Sequence, residues 1–299
     1  MEREMTVARR NKAVSRWRLF SKIGDFLLKF NAGFGYFFLY IPIIVLIVLS
    51  FNQSKLITVW RGFSIRWYVK LFHDSAIGFA LKNTLIVSIT TTILSTIFGT
   101  MAALALSRYK IKLKNAFMGL LYLPIIIPDI AMAVMLLLFY IAIHAPREIP
   151  WPWNLYTIII GHVAFDISFV AVVVLARLAD FDYTLEEAAR DLYANEWNTF
   201  WKVTFPLILP GIMGGALLAF TLSVDDFVIT FFTAAPGSNT LPLYIYGMIK
   251  KHLTPEINAL STLMVVASMS LVLMSLLMQK SESGSAGVEE VELEVEPKV

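Results

Sequence analysis

The stretch TLEEAARDLYANEWNTFWKVTFPLILP, Thr184–Pro210, is a polar, amphipathic island between two long apolar runs. Thr184 with Glu187 three residues on reads as a capping box at a helix start. Leu185, Ala188, Ala189 and Leu192 then fall at helical spacing on one face. Asn195 is placed to cap a second short helix, on which Trp197, Phe200, Trp201 and Thr204 share a face. Pro206 and Pro210 are expected to limit how far that helix runs unbroken. The spacing predicts two short helices joined by a turn at Tyr193-Ala194, with one polar and one apolar side.

Outward from this island the chain is too apolar for an ordinary soluble domain: 58% of its 299 residues are hydrophobic, 16% are charged, and the mean hydropathy is +0.69. Several runs reach the ~20 apolar residues that a membrane-spanning helix needs. Backbone groups in lipid must be satisfied within the span, so the expected fold class is an all-α membrane protein. Six spans are read, near residues 33–51, 79–106, 116–143, 156–176, 207–234 and 257–278. The expected organisation is an amphipathic interfacial segment at 1–30, a six-helix membrane domain at 31–280 carrying the polar loop at about 184–206, and an acidic, disordered tail at 281–299. Cysteine is absent, which excludes a disulfide framework and thiolate chemistry.

Charge distribution orients the chain. The segments before span one, at 108–114, at 177–206 and after span six hold 17 Lys and Arg, and the opposite loops hold seven. The excess marks the cytoplasmic side. Both termini and the 184–206 loop are therefore read as cytoplasmic. The external loop at 52–78 carries Trp60, Trp67, Tyr68 and Phe72, and the loop at 144–155 carries Trp151 and Trp153. These read as an aromatic belt or, more sharply, as a contact surface for an external partner or a cationic ligand.

Ionisable residues inside spans are costly and are candidates for function. Asp129 lies in span three, Asp166 in span four, and Asp225 and Asp226 in span five. Counted along straight helices from the cytoplasmic side, Asp129 and Asp225 stand at a similar depth, roughly 20 Å in. Pro124 and Pro128 are expected to kink span three near Asp129. No Lys or Arg lies in the interior of a span apart from Lys82 near an end. The carboxylates thus admit three readings: protonation, pairing with another subunit, or lining a path for a cation, with Ser223 as a further acceptor. His73, His144, His162 and His252 look isolated and interfacial. No phosphate-binding loop, zinc-binding helix motif or nucleophile elbow occurs, so ATP-driven work needs a partner.

Glu187-Ala188-Ala189, followed by Ala194, Phe200, Val203 and Pro206, resembles the EAA loop of ABC-transporter permeases; the family's glycine is Tyr193 here. The run SVDDFVITFFTAAPGSNTLPLYIYGMIKKHLTPEINALSTLMV and the segment Pro128-Asp129-Ile130 are similar to the C-type permeases of spermidine/putrescine importers, a resemblance that spans about 33–278. It implies a type I importer permease without catalysis of its own. Leu185, Glu187, Ala188, Ala189, Tyr193, Ala194 and Glu196 would form the helix that docks on the ATPase. Trp67, Asp129, Ser223, Asp225 and Asp226 would line the substrate path, and Asp166, outside the recurring pattern, joins them as a membrane-embedded acid. The implied partners are a second permease subunit, two ATP-binding subunits that hold ATP and Mg, and an external polyamine-binding protein, all at a bacterial inner membrane. No cofactor in this chain, no metal and no nucleic acid are expected. The nearest alternative keeps the ABC class and changes the cargo to another small organic cation or an amino acid derivative; a different class, a stand-alone carrier or channel using the aspartates as a proton or sodium site, is separated by ATP dependence.

Overall fold

A computed structural model describes residues 2–56, 59–109, 111–144, 154–251 and 254–270. Trp151, Trp153, His252, the tail at 281–299 and the last part of the sixth expected span lie outside them. Among the described residues the chain is helical, with one isolated bridge between Asn52 and Phe63 and no strand. The helices are α1 (Glu2–Ser50), α2 (Arg66–His73), α3 (Ser75–Arg108), α4 (Lys114–Ile126), α5 (Asp129–His144), α6 (Leu155–Ala179), α7 (Thr184–Asp191), α8 (Glu196–Thr199), α9 (Phe205–Asp225), α10 (Val228–Thr233) and α11 (Leu241–Lys251). A twelfth covers 255–270. Four helical stretches are long and apolar enough to cross a membrane: Phe26–Ser50, Ser75–Arg108, Leu155–Ala179 and Glu196–Asp225.

The third expected span is not one straight helix. α4 and α5 are bent by 107° at Ile127-Pro128. Pro128 disfavours helical backbone at the residue before it, and Ile127 is extended at φ −71°, ψ 135°. The depth counted for Asp129 along a continuous span does not hold; Asp129 opens α5 and is exposed. The fifth span is interrupted too: α9 ends at Asp225, Asp226 is extended, and the short α10 follows. At its other end the prolines do not stop the helix. α8 runs through a π-helical turn, Phe200–Thr204, into α9, with the Phe205 amide bonded to Phe200 O. The wider turn accommodates Pro206, which has no N–H to continue the α pattern.

Two compact units divide the chain. The first holds the described residues of Met1–Val69 and Thr254–Leu263. Here α1 continues without a break through residue 30 into the apolar run that ends at Ser50. The turn after it is organised by Asn52, whose Oδ1 accepts from Ser54 N at 3.1 Å and Arg61 N at 3.0 Å. Trp67 is buried and donates its indole N–H to Asn52 O at 2.8 Å, and the Arg66 guanidinium lies 4.2 Å from its ring centre.

The second unit, the described residues of Lys70–Leu253 and of 264–270, is built on α3, α6 and α9. The buried residues of α3 are mostly small or polar, Ala80, Asn83, Thr84, Ser88, Thr91, Ser95, Gly99 and Ala103, with Ile77, Val87 and Leu106 beside them. Small residues let membrane helices approach at backbone distance. The approach is closest at Val170 of α6: a Cβ on Gly99 would stand 2.7 Å from Val170 Cβ, and one on Gly215 of α9 would stand 3.3 Å from Val170 Cα. Below this contact Ala103, Val174, Leu178, Ile208 and Ile212 close an apolar core.

Candidate functional site

The loop between α6 and α9 forms two short helices, but its first cap differs from the capping box. Thr184 is already inside α7, and the Asp182 carboxylate accepts from Thr184 N at 2.9 Å. That bond holds the Asp182 carboxyl below its usual range. A group lowered in this way keeps its cap as pH falls through the ordinary carboxylate range and loses it only below. Glu187 is left exposed, and Ala188 with it.

The end of α7 follows from one backbone angle. Tyr193 has φ +61°, the only positive φ at a non-glycine among the described residues. Its amide bonds Arg190 O at 2.9 Å, and the Ala194 amide bonds Ala189 O at 3.1 Å. These two bonds make a Schellman closure with tyrosine in the left-handed position that glycine usually takes. Asn195 then caps α8, its Oδ1 accepting from Asn198 N at 2.8 Å. The turn throws apolar groups outward. Tyr193 is 99% exposed, Leu192 82% and Trp197 69%, with Leu185 and Trp201 exposed beside them. Ala189 and Ala194 are half-buried, and Glu196 is exposed, 3.4 Å from Arg190.

Sequence reasoning passed over Glu186. It is the buried acid of α7, and its Oε1 pairs with Arg108, the last residue of α3, and accepts from the Thr204 hydroxyl in the π turn. Arg108 also donates to Thr204 Oγ1 at 3.1 Å, and the hydroxyls of Ser107 and Tyr183 bond at 2.8 Å. The i, i+3 spacing from Thr184 drew attention to Glu187; the local signal for Glu186 is only Arg190 at i+4, 3.9 Å away, and the partners that bury it lie 78 residues before it and 18 after it.

The membrane-embedded polar residues separate into three groups. Ser223 and Asp226 are brought together by His162, which is buried two turns into α6, not interfacial. His162 Nδ1 lies 2.8 Å from Ser223 Oγ, and its Nε2 lies 3.1 Å from both Asp226 Oδ2 and Thr230 Oγ1. An ionised carboxylate only accepts, so Nε2 is the donor toward Asp226, while Nδ1 lies at hydrogen-bond distance from the Ser223 hydroxyl. Asp226 further accepts from Ile229 N at 3.2 Å, Thr230 N at 2.8 Å and Thr230 Oγ1 at 2.9 Å, so it caps α10. Asp225, its neighbour, is exposed and makes no hydrogen bond or ion pair among the described residues. Asp129 is exposed at the opening of α5, a helix that packs on α10. Asp166 is buried one turn beyond His162, and its Oδ2 has no hydrogen-bond partner among the described residues. Trp67 belongs to the other unit, where it is a buried core residue. No cluster of potential metal ligands occurs among the described residues. The signal for His162 was present as His162 and Asp166 at i, i+4 and Ser223 and Asp226 at i, i+3, but only helix packing aligns the two pairs.

A helical membrane unit with a capped amphipathic loop fits the permease family that the sequence resembles, and comparison with known proteins agrees. Residues 95–281 match the family described as binding-protein-dependent transport system inner membrane component. The chain is 41% identical over 236 residues to the putrescine transport system permease protein PotI of Escherichia coli (strain K12), covering 78% of this chain and 83% of that protein. It is 36% identical over 253 residues to the spermidine/putrescine transport system permease protein PotC of the same strain, covering 84% and 94%. Among solved structures, a bacterial ABC transporter involved in the import of the acidic polysaccharide alginate superposes with a TM-score of 0.69 over 88% of this chain and 99% of that one; at 19% identity it shows the fold alone. The chain belongs to the binding-protein-dependent transport system inner membrane component family. It is a non-catalytic, membrane-embedded permease subunit of a binding-protein-dependent transport system.

Proposed function

We propose that this permease forms one half of the pore of an ATP-driven polyamine importer in the bacterial inner membrane, with putrescine or spermidine as cargo. The observation that carries the reading is Asp225: an exposed carboxylate, unpaired among the described residues, at the break of a membrane helix. Asp129 supplies a second exposed carboxylate at the opening of α5. A polycation on a flexible chain requires spaced anionic acceptors and little fixed positive charge, and a cation within ~4–6 Å keeps such acids ionised. The printed names of PotI and PotC support the same cargo.

In this reading both termini and the 184–206 loop face the cytoplasm. Leu185, Glu187, Ala188, Ala189, Tyr193, Ala194 and Glu196 dock on one of two ATP-binding subunits, which hold ATP and Mg. A second permease subunit completes the pore, and an external binding protein delivers cargo. The exposed Leu185, Leu192, Tyr193 and Trp197 support a contact there, since an apolar patch on a polar loop is stabilised by being covered. The test is uptake of radiolabelled putrescine and spermidine into vesicles holding the complete complex. Uptake that needs ATP and survives collapse of ion gradients is expected. Uptake that follows the gradient and ignores ATP makes the chain a carrier instead; ATP-driven uptake of a different solute refutes the cargo.

A further inference from the structure

Two helices of the second unit, α3 and α6, run without a proline between the loop face and the far end, and α3 is the longer. It runs 34 residues without a proline. At one end the partly buried Arg108 holds the buried Glu186 and Thr204, so α3, α7 and the foot of α9 meet at one triad. At the other end Asn83 donates from Nδ2 to Asn239 O at 3.0 Å, and Thr84 Oγ1 accepts from Leu241 N at 2.7 Å. These bonds grip the turn that follows α10. α9, rooted in the same triad through Thr204, leads directly to the Asp225-Asp226 break that precedes α10. The short α10 is therefore suspended between the far ends of two helices whose near ends share one clamp. His162 of α6 pins the break itself.

We infer that Arg108, Glu186 and Thr204, with Asn83 and Thr84, are positioning residues that transmit movement of the loop to the Asp225-Asp226 break through α3. This inference rests on the reading of the chain as an ATP-driven importer. The physical argument is mechanical and electrostatic. Coupling between distant sites runs through packed helices and hydrogen-bonded ion pairs that hold as units. A buried ion pair adds little net stability over an apolar contact, but it fixes the relative placement of the segments it joins. The two grips on α3 are 25 residues apart, about 38 Å along a helix. α3 is unbroken and proline-free, whereas α9 carries Pro206, Pro210 and a π turn at its foot. A loop displacement thus shifts α3 as a rod against a compliant α9, and the difference falls on α10.

The experiment uses the full complex reconstituted in vesicles, with ATP hydrolysis and cargo uptake measured on the same preparation. Glu186→Gln loosens the near grip and Thr84→Val removes the acceptor at the far one. Both variants are expected to co-purify with the ATP-binding subunit at wild-type stoichiometry and to keep at least half the hydrolysis rate. Cargo moved per ATP is expected to fall at least fivefold in each. A structural role alone lowers protein level, assembly and hydrolysis together and leaves that ratio unchanged. An unchanged ratio in both variants overturns the inference. Should Glu186→Gln fail to accumulate, Tyr183→Phe, which removes the Ser107 bond beside the triad, is held to the same ratio. A wild-type complex that moves another solute refutes the polyamine reading, and the ratio is then read with that solute.

Discussion

Replacing Asp225 and Asp226 separately by Asn divides two adjacent carboxylates into a transport group and a structural one. Asp226 accepts from Ile229 N, Thr230 N, Thr230 Oγ1 and His162 Nε2. Asn keeps one acceptor oxygen but sets an NH₂ donor against groups that are themselves donors. Hydrogen bonds to a charged group are worth about 1.5–3 kcal/mol each, and an unsatisfied buried partner adds its desolvation cost. Losing the second oxygen should therefore cost about 2–4 kcal/mol and loosen α10. Asp225 makes no such bonds among the described residues, so Asp225→Asn should change stability by less than about 0.5 kcal/mol. Its effect belongs to cargo: we expect polyamine uptake to fall at least tenfold, about 1.4 kcal/mol at the limiting step. The assay pairs thermal unfolding in detergent with radiolabelled uptake in cells lacking other polyamine importers, with membrane level measured in parallel. Asp226→Asn should lower the unfolding temperature, and Asp225→Asn should lower uptake at an unchanged unfolding temperature. The reasoning is refuted if Asp225→Asn transports normally, or if Asp226→Asn is as stable as the wild type.

Two further substitutions test the loop and the helix packing. A left-handed backbone costs an L-residue about 1–2 kcal/mol, and glycine gives back about 0.5–1 in chain entropy, so Tyr193→Gly should leave the permease equally stable or up to about 1 kcal/mol more stable. Its binding to the ATP-binding subunit should nevertheless weaken, because the 99% exposed ring is removed from the docking face; undiminished binding, read by titration calorimetry, excludes the ring as a contact. Gly99→Ala places a Cβ 2.7 Å from Val170 Cβ and should destabilise by about 1–3 kcal/mol, whereas Gly214→Ala, whose nearest neighbour is 3.8 Å away, should not destabilise by more than about 0.5. Equal unfolding temperatures for these two variants would count against the close approach of α3 to α6.

What the sequence determined by itself is what short-range chemistry determines. Apolar runs of membrane length dictate helices, because lipid offers backbone groups no other partner. The loop was legible for the same reason: the Asn195 cap and the turn at Tyr193-Ala194 depend on residues within one helical turn of each other. Even there the cap of α7 falls before Thr184: the Glu186 and Glu187 amides that a Thr184 cap would serve bond Tyr183 O, and the Asp182 carboxylate takes the Thr184 amide. Tertiary structure decided the rest. Periodicity shows that Asp225 and Asp226 point apart, but which one meets the buried His162 depends on where α6 carries that ring. Burial of Glu186 depends on Arg108, 78 residues earlier. The 107° bend at Pro128 sets Asp129 at a helix opening, and counting residues along a straight span cannot give its place. Helical spacing sets which residues share a face; only the packing of one helix on another decides what each face meets.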